Sequence, residues 1–172
     1  PSDVTLASGT VPKGYLTIDA NGNAVLGANA PAGNYELTYE ICEVLNPGNC
    51  STNKVQVTVT APAILAVKET LGPINGTIGG KTTSLIASDK LNNIQAVIGS
   101  NPGEVTLTGT APAGLTINTT DGTVTVNAGV KAGSYDVEYT ICDNNNPETN
   151  CSTATSTVVV TAADLVANLD SA

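Results

Sequence analysis

Four cysteines are the residues of this chain with the most chemistry open to them. They come as two pairs, Cys42 with Cys50 and Cys142 with Cys151. Thiols in such pairs serve as disulfides, as free nucleophiles or as half of a metal site. Neither separation is the two-residue gap of a zinc ribbon, and the chain has no histidine to complete one. Each pair brackets a turn between two strand-like runs, where residues on facing strands approach to disulfide distance. Closing so short a loop contributes about 2.5 kcal/mol in the chain-entropy picture. Such bonds persist in oxidising, extracytoplasmic settings. The expectation is two local disulfides, Cys42–Cys50 and Cys142–Cys151.

Other chemistry is sparse. Asp143, Asn145 and Glu148 sit in an Asn-rich turn and offer oxygens to Ca²⁺. The spacing is not that of an EF-hand loop, and the first copy of the turn reads Glu43-Val44-Leu45-Asn46, so a solvated turn is the favoured reading and calcium the weaker one. No histidine exists for a catalytic triad, and disulfides leave no thiol nucleophile, so no enzyme activity is expected. No organic cofactor is expected either.

The elements that position these residues are short strands. Tyr135 to Cys142 alternates Tyr135, Val137, Tyr139 and Ile141 on one face with Asp136, Glu138 and Thr140 on the other, the period of a half-buried strand. Further strands are expected at 64–68, 83–87, 94–98, 104–108, 114–118, 124–126 and 155–161, with the Gly/Pro-rich stretch 72–80 as loop. Their inner residues are expected to be Leu65, Val105, Leu115, Ile117, Val137, Tyr139, Val158 and Val160. Asn21-Gly22 and Asp121-Gly122 mark tight turns, with Gly22 and Gly122 supplying the left-handed backbone. Tyr35 and Tyr135, each in an Ala-Gly-x-Tyr string, resemble a tyrosine corner, whose hydroxyl ties back to nearby backbone.

These strands come in two copies. Ala32-Gly33-Asn34-Tyr35-Glu36-Leu37-Thr38-Tyr39-Glu40-Ile41-Cys42 returns as Ala132-Gly133-Ser134-Tyr135-Asp136-Val137-Glu138-Tyr139-Thr140-Ile141-Cys142. A period of about 100 residues is the size of one β-sandwich. Pro1 aligns near Pro102, so nothing in residues 1–61 answers to residues 63–100. The expected organisation is the C-terminal part of one sandwich at 1–61, a complete sandwich at 62–162, and the first strand of a following repeat at 163–172. The chain reads as a window on a longer tandem array. Its fold class is all-β: tandem Ig-like Greek-key sandwiches, the first incomplete. Its expected partners are neighbouring repeats of the same polypeptide.

Composition agrees and excludes. The chain lacks Phe, Trp, Met and His, and its six cationic residues are all lysine against fifteen acids, for a net charge of −9. Phosphate backbones and anionic membrane surfaces need clustered Lys and Arg, so neither nucleic acid nor an acidic bilayer is a partner. No run approaches the roughly 20 apolar residues of a membrane-spanning helix.

With these residues in view, the chain resembles bacterial immunoglobulin-like repeats. Ala113-Gly114-Leu115-Thr116-Ile117, Asp121-Gly122-Thr123-Val124 and Ala132-Gly133-Ser134-Tyr135 carry that likeness. Tyr39-Glu40-Ile41-Cys42 through Asn46-Pro47-Gly48-Asn49-Cys50-Ser51, and Tyr139-Thr140-Ile141-Cys142 through Asn150-Cys151-Ser152-Thr153-Ala154, are similar to repeats of very large surface adhesins of the Bacteroidetes, of the gliding-motility SprB type. The resemblance implies secretion, display on the bacterial cell surface and a role as a stalk or filament repeat in gliding and attachment. It also makes Ser171, in Asp170-Ser171-Ala172, a candidate for O-glycosylation. Two alternatives stand beside it. One is a module binding surface polysaccharide or a receptor through loops 43–49 and 143–150. The other is a pilin-like subunit assembled by strand exchange.

Overall fold

Val, Thr and Ile carry branched Cβ atoms that suit a pleated surface and crowd a helix. The computed structural model, which describes residues 4–8 and 14–166, accordingly holds strands and turns and no helix among those residues. Contacts divide the chain into two units, Pro1–Ala61 and Pro62–Ala172.

The first unit contains β1 (Val4–Ser8), β2 (Leu16–Ile18), β3 (Ala24–Leu26), β4 (Gly33–Glu43) and β5 (Cys50–Val59). They form one sheet in the order β1-β4-β5 and a two-stranded sheet, β2-β3. Among the described residues its buried core is Leu16, Tyr35 and Leu37, with Tyr39, Val55, Val57 and Val59 half-buried around it.

The second unit repeats this plan and adds to it. β11 (Val105–Thr110), β12 (Leu115–Ile117), β13 (Thr123–Val126), β14 (Gly133–Asp143) and β15 (Cys151–Thr161) answer to β1 through β5. Ahead of them come β6 (Ile64–Leu65), β7 (Thr70–Asn75), β8 (Gly80–Ser84), β9 (Lys90–Leu91) and β10 (Ile94–Gln95). β7 runs parallel to β15 and extends the main sheet to β11-β14-β15-β7, while β8 extends the second to β12-β13-β8. A small sheet, β10-β9-β6, closes one side. The added segment supplies Leu71, Leu85, Ile86, Leu91 and Ala96 to a core that also holds Val124, Val126, Val137, Tyr139, Ile141, Val158 and Val160. Burying each such large side chain stabilises by about 1.5–3 kcal/mol.

Register is shared between the units. Leu16 faces Leu26 as Leu115 faces Val126; Tyr35 faces Val57 as Tyr135 faces Val158; Cys42 faces Cys50 as Cys142 faces Cys151. The offset between copies is 99 residues at β2, 100 at β4 and 101 at β5, so it changes in the loops and never inside a strand.

Several expectations need correction. The stretch 72–80, read as loop, contains most of β7: Gly72 takes a φ of 100° and Pro73 sits on a sheet edge, where its missing N–H costs no ladder bond. The strand expected at 83–87 lies at Gly80–Ser84, so Leu85 and Ile86 enter the core from the turn after it. The strands expected at 64–68 and 94–98 shrink to two residues each, and β9 was not foreseen. Leu65, expected inside, is 52% exposed, because Ile64 and Ala66 take the inward positions. The first strand of a following repeat, expected at 163–172, does not form over 163–166, and the remainder of that stretch, with Ser171, lies outside the described residues.

Candidate functional site

The long hairpins β4–β5 and β14–β15 carry the cysteines at their tips. A disulfide joins Cys42 to Cys50 and another joins Cys142 to Cys151, each at 2.06 Å and each closing a hairpin on itself. Among the described residues, the one cluster with metal-ligand proximity is Glu40 with Cys42 and Cys50, and its sulfurs are spent in the disulfide.

Beneath the second disulfide, Asp143 is buried and its carboxylate organises the turn. Oδ1 accepts the N–H of Asn145 at 3.1 Å, and Oδ2 accepts the side-chain amides of Asn146 at 2.7 Å and Asn150 at 3.3 Å. Asn150 also donates to the carbonyl of Pro62 at 2.9 Å, holding the start of the unit. Asn144 donates to the carbonyls of Gly99 and Asn101, both at 3.0 Å. Of the calcium candidates, Asp143 and Asn145 therefore come together as acceptor and backbone donor within a turn, while Glu148 stays exposed. In the first unit Glu43 takes the place of Asp143, accepting from Asn49 at 3.0 Å, and that bond holds its carboxyl below the usual range. Val44 and Leu45 there replace the two asparagines and are exposed.

The corner tyrosines act alike. Tyr35 donates its hydroxyl to the carbonyl of Pro31 at 2.7 Å, and Tyr135 donates to Lys131 at 2.8 Å. Tyr15 packs edge-on against Tyr35 at 6.1 Å. The two turn glycines share a left-handed backbone, φ 84° at Gly22 and 75° at Gly122, but not their surroundings. A Cβ on Gly122 would collide with Ser84 of β8, whereas Gly22 faces open space.

One feature escaped the sequence reading. Asp89, just ahead of β9, is fully buried, and its Oδ1 accepts from Val67 N–H at 2.8 Å and from the Tyr139 hydroxyl at 2.9 Å. Its Oδ2 is buried without a hydrogen-bond partner. Burial raises the Asp89 carboxyl above its ordinary value, and burial together with the Asp89 hydrogen bond raises the Tyr139 phenol. The only signal in the sequence is an acid following the apolar run Leu85-Ile86-Ala87, which does not name Tyr139 as its partner.

The first unit also presents an apolar cleft lined by Ile18, Gly22, Ala24, Tyr39, Ile41 and Val55. Leu26 is 38% exposed where Val126 is 1%, and Ile41 is 37% exposed where Ile141 is 0%. Tyr39, Val55 and Val57 are half-buried where Tyr139, Ser156 and Val158 are fully buried.

No protein-family model matches the sequence, and no curated protein matches it. Among solved structures, mouse cadherin-23 repeats EC22-24 align with a TM-score of 0.43 at 18% identity, over 93% of this chain and 53% of that one. Drosophila N-cadherin EC1-3 aligns with a TM-score of 0.38 at 13% identity, over 94% of this chain and 56% of that one. An endo-fucoidan hydrolase of glycoside hydrolase family 107 aligns with a TM-score of 0.38 at 17% identity, over 94% of this chain and 24% of that one. The chain thus spans between about a quarter and just over half of these proteins. Its own two units, sharing strands, register and a hairpin disulfide, define an all-β protein of tandem sandwich repeats.

Proposed function

We propose that this chain is a stalk or filament segment of a very large secreted bacterial surface adhesin, serving gliding motility and surface attachment and performing no catalysis. The observation that carries the reading is the repetition: two units that share five strands, their register and a hairpin disulfide, joined through only Thr60-Ala61-Pro62-Ala63 between β5 and β6. A joint this short, with a proline and no Gly/Ser run, limits slack between repeats. The disulfides support secretion into an oxidising setting. The parallel pairing of β7 with β15 supports load bearing. Tension between the start of β7 and the end of β15 pulls parallel strands in opposite directions, so their hydrogen bonds share the load instead of opening one at a time. Sugar-stacking platforms find no support, since four of the five tyrosines lie in the paired strands β4 and β14 and the fifth packs on Tyr35.

Two measurements test the reading. A glycan array probed with the chain should stay silent; specific retention of one glycan class would favour the binding-module alternative. An antibody raised against the chain should label the surface of intact source cells, with the label travelling along gliding cells. Label confined to permeabilised cells would overturn the proposal.

A further inference from the structure

We infer that the open flank of the first unit is an intramolecular docking surface. Its occupant is a stretch the length of residues 62–101 that precedes β1 in the same polypeptide and packs there as β6–β10 pack on the second unit. This goes beyond the proposed stalk function and does not depend on it.

Two edges and one face define the surface. β5 ends the sheet β1-β4-β5, and β3 ends the sheet β2-β3. In the second unit the corresponding edges carry β7 and β8. There, Thr157 donates its N–H to the Glu69 carbonyl at 2.9 Å, and Val124 donates its N–H to Thr82 Oγ1 at 2.9 Å. Their counterparts are Gln56 and Ala24. Between these edges lie the exposed Leu26 and Ile41, whose counterparts Val126 and Ile141 are covered in a core that includes Leu71, Leu85 and Ile86. The open space at Gly22, where Gly122 meets Ser84 of β8, is an independent mark of the same gap.

The source of the occupant follows from how the second unit is threaded. There the end of the added segment is stitched to the first residue of β11: Val105 N–H donates to the Val97 carbonyl at 2.9 Å, and Gly99 N–H donates to the Val105 carbonyl at 3.1 Å. β1 holds the place of β11 in the first unit, so a segment with this threading arrives immediately ahead of β1. Being tethered, it acts at millimolar effective concentration. The surface also specifies its chemistry. The occupant brings apolar residues to Leu26 and Ile41, and an acceptor to the Tyr39 hydroxyl as Asp89 does for Tyr139. It meets Val55 where Ser156 Oγ accepts the N–H of Glu69 at 2.9 Å, so an apolar contact stands in for that bond.

The test places a copy of residues 62–101 ahead of Pro1 in the full chain and follows amide hydrogen exchange at Gln56 and Ala24. Exchange there should slow by on the order of 100-fold relative to the unextended chain, as for amides moved from a frayed edge into a paired one. The same extension carrying Leu71→Asp and Leu85→Asp should leave both amides as fast as in the unextended chain. No slowing with the apolar extension, or equal slowing with the Asp-bearing one, overturns the inference. So does concentration-dependent protection of Gln56 in the unextended chain, which would make a second copy, paired along β5, the occupant.

Discussion

The Tyr139 hydroxyl stands 2.9 Å from Asp89 Oδ1 and also 2.9 Å from the Val67 carbonyl, so one side chain at the centre of β14 fastens both the start of the unit and the turn before β9. Asp89 completes the triangle by accepting from the Val67 N–H at 2.8 Å.

That triangle has a pH signature. The folded carboxyl of Asp89 lies above its ordinary value of 3.8, so the fold favours its neutral form. Its contribution to stability is complete below the unfolded value and is lost as pH rises through the folded one. Asp89→Asn cannot ionise. The stability difference between the variant and the parent should therefore move in the variant's favour as pH rises above about 4 and then level off. Urea unfolding of both proteins across that range measures it; a difference independent of pH would mean Asp89 ionises equally in both states. Tyr139→Phe should cost about 1.5–3 kcal/mol by leaving Asp89 with less compensation. It should also raise the Asp89 carboxyl further, read by carboxyl-carbon NMR.

The disulfides should matter unequally. Each closes a loop of similar length, so pairwise replacement by alanine should cost about 2.5 kcal/mol at either hairpin. Among the described residues, the first unit buries three apolar side chains against fifteen in the second. Cys42→Ala/Cys50→Ala should therefore melt β4 and β5 at ambient temperature, whereas Cys142→Ala/Cys151→Ala should leave a folded second unit with a lowered Tm. Circular dichroism with per-residue NMR separates the two outcomes.

Gly22→Ala and Gly122→Ala make a matched pair. Both place a Cβ on left-handed backbone, a strain of about 1 kcal/mol. Only at Gly122 must the new atom also displace Ser84. Gly122→Ala should cost at least about 1 kcal/mol more, and equal losses in thermal melts would contradict the packing of β8 on that turn.

Asp143 should prove structural. Asp143→Ala removes the acceptor of three hydrogen bonds at the second hairpin tip. The expected cost is about 2–3 kcal/mol, with the same cost in calcium and in chelator. A Tm of the parent protein that rises with calcium and loses that response in the variant would instead make the turn a cation site.

Much of this architecture was legible because strand alternation survives in β14 and β15. Val137 and Tyr139 face the core while Asp136 and Glu138 face solvent, as their period of two dictates. The turn glycines and corner tyrosines were legible for the same local reason: the backbone they need is written in three or four adjacent residues. β7 was not, since Gly72 and Pro73 read as loop until the parallel edge of β15 gives them a place. β8 was displaced because Gly80, Lys81, Thr82 and Thr83 carry no apolar pattern, and pairing with β13 decides their state. Asp89 was missed because its partner is fifty residues away, a distance no local pattern spans.

The offset between the copies, 99 residues at β2, 100 at β4 and 101 at β5, has a consequence for how the repeat tolerates changes in length. Length differences between the copies fall only at loops, while every β4–β5 pair has the register of its β14–β15 counterpart. A slip of one residue within a strand would turn a whole buried face outward. The same slip between strands only lengthens a loop. Units of this kind can differ in loop length and loop sequence while each hairpin keeps its register, so repeats of unequal length can share one sheet plan.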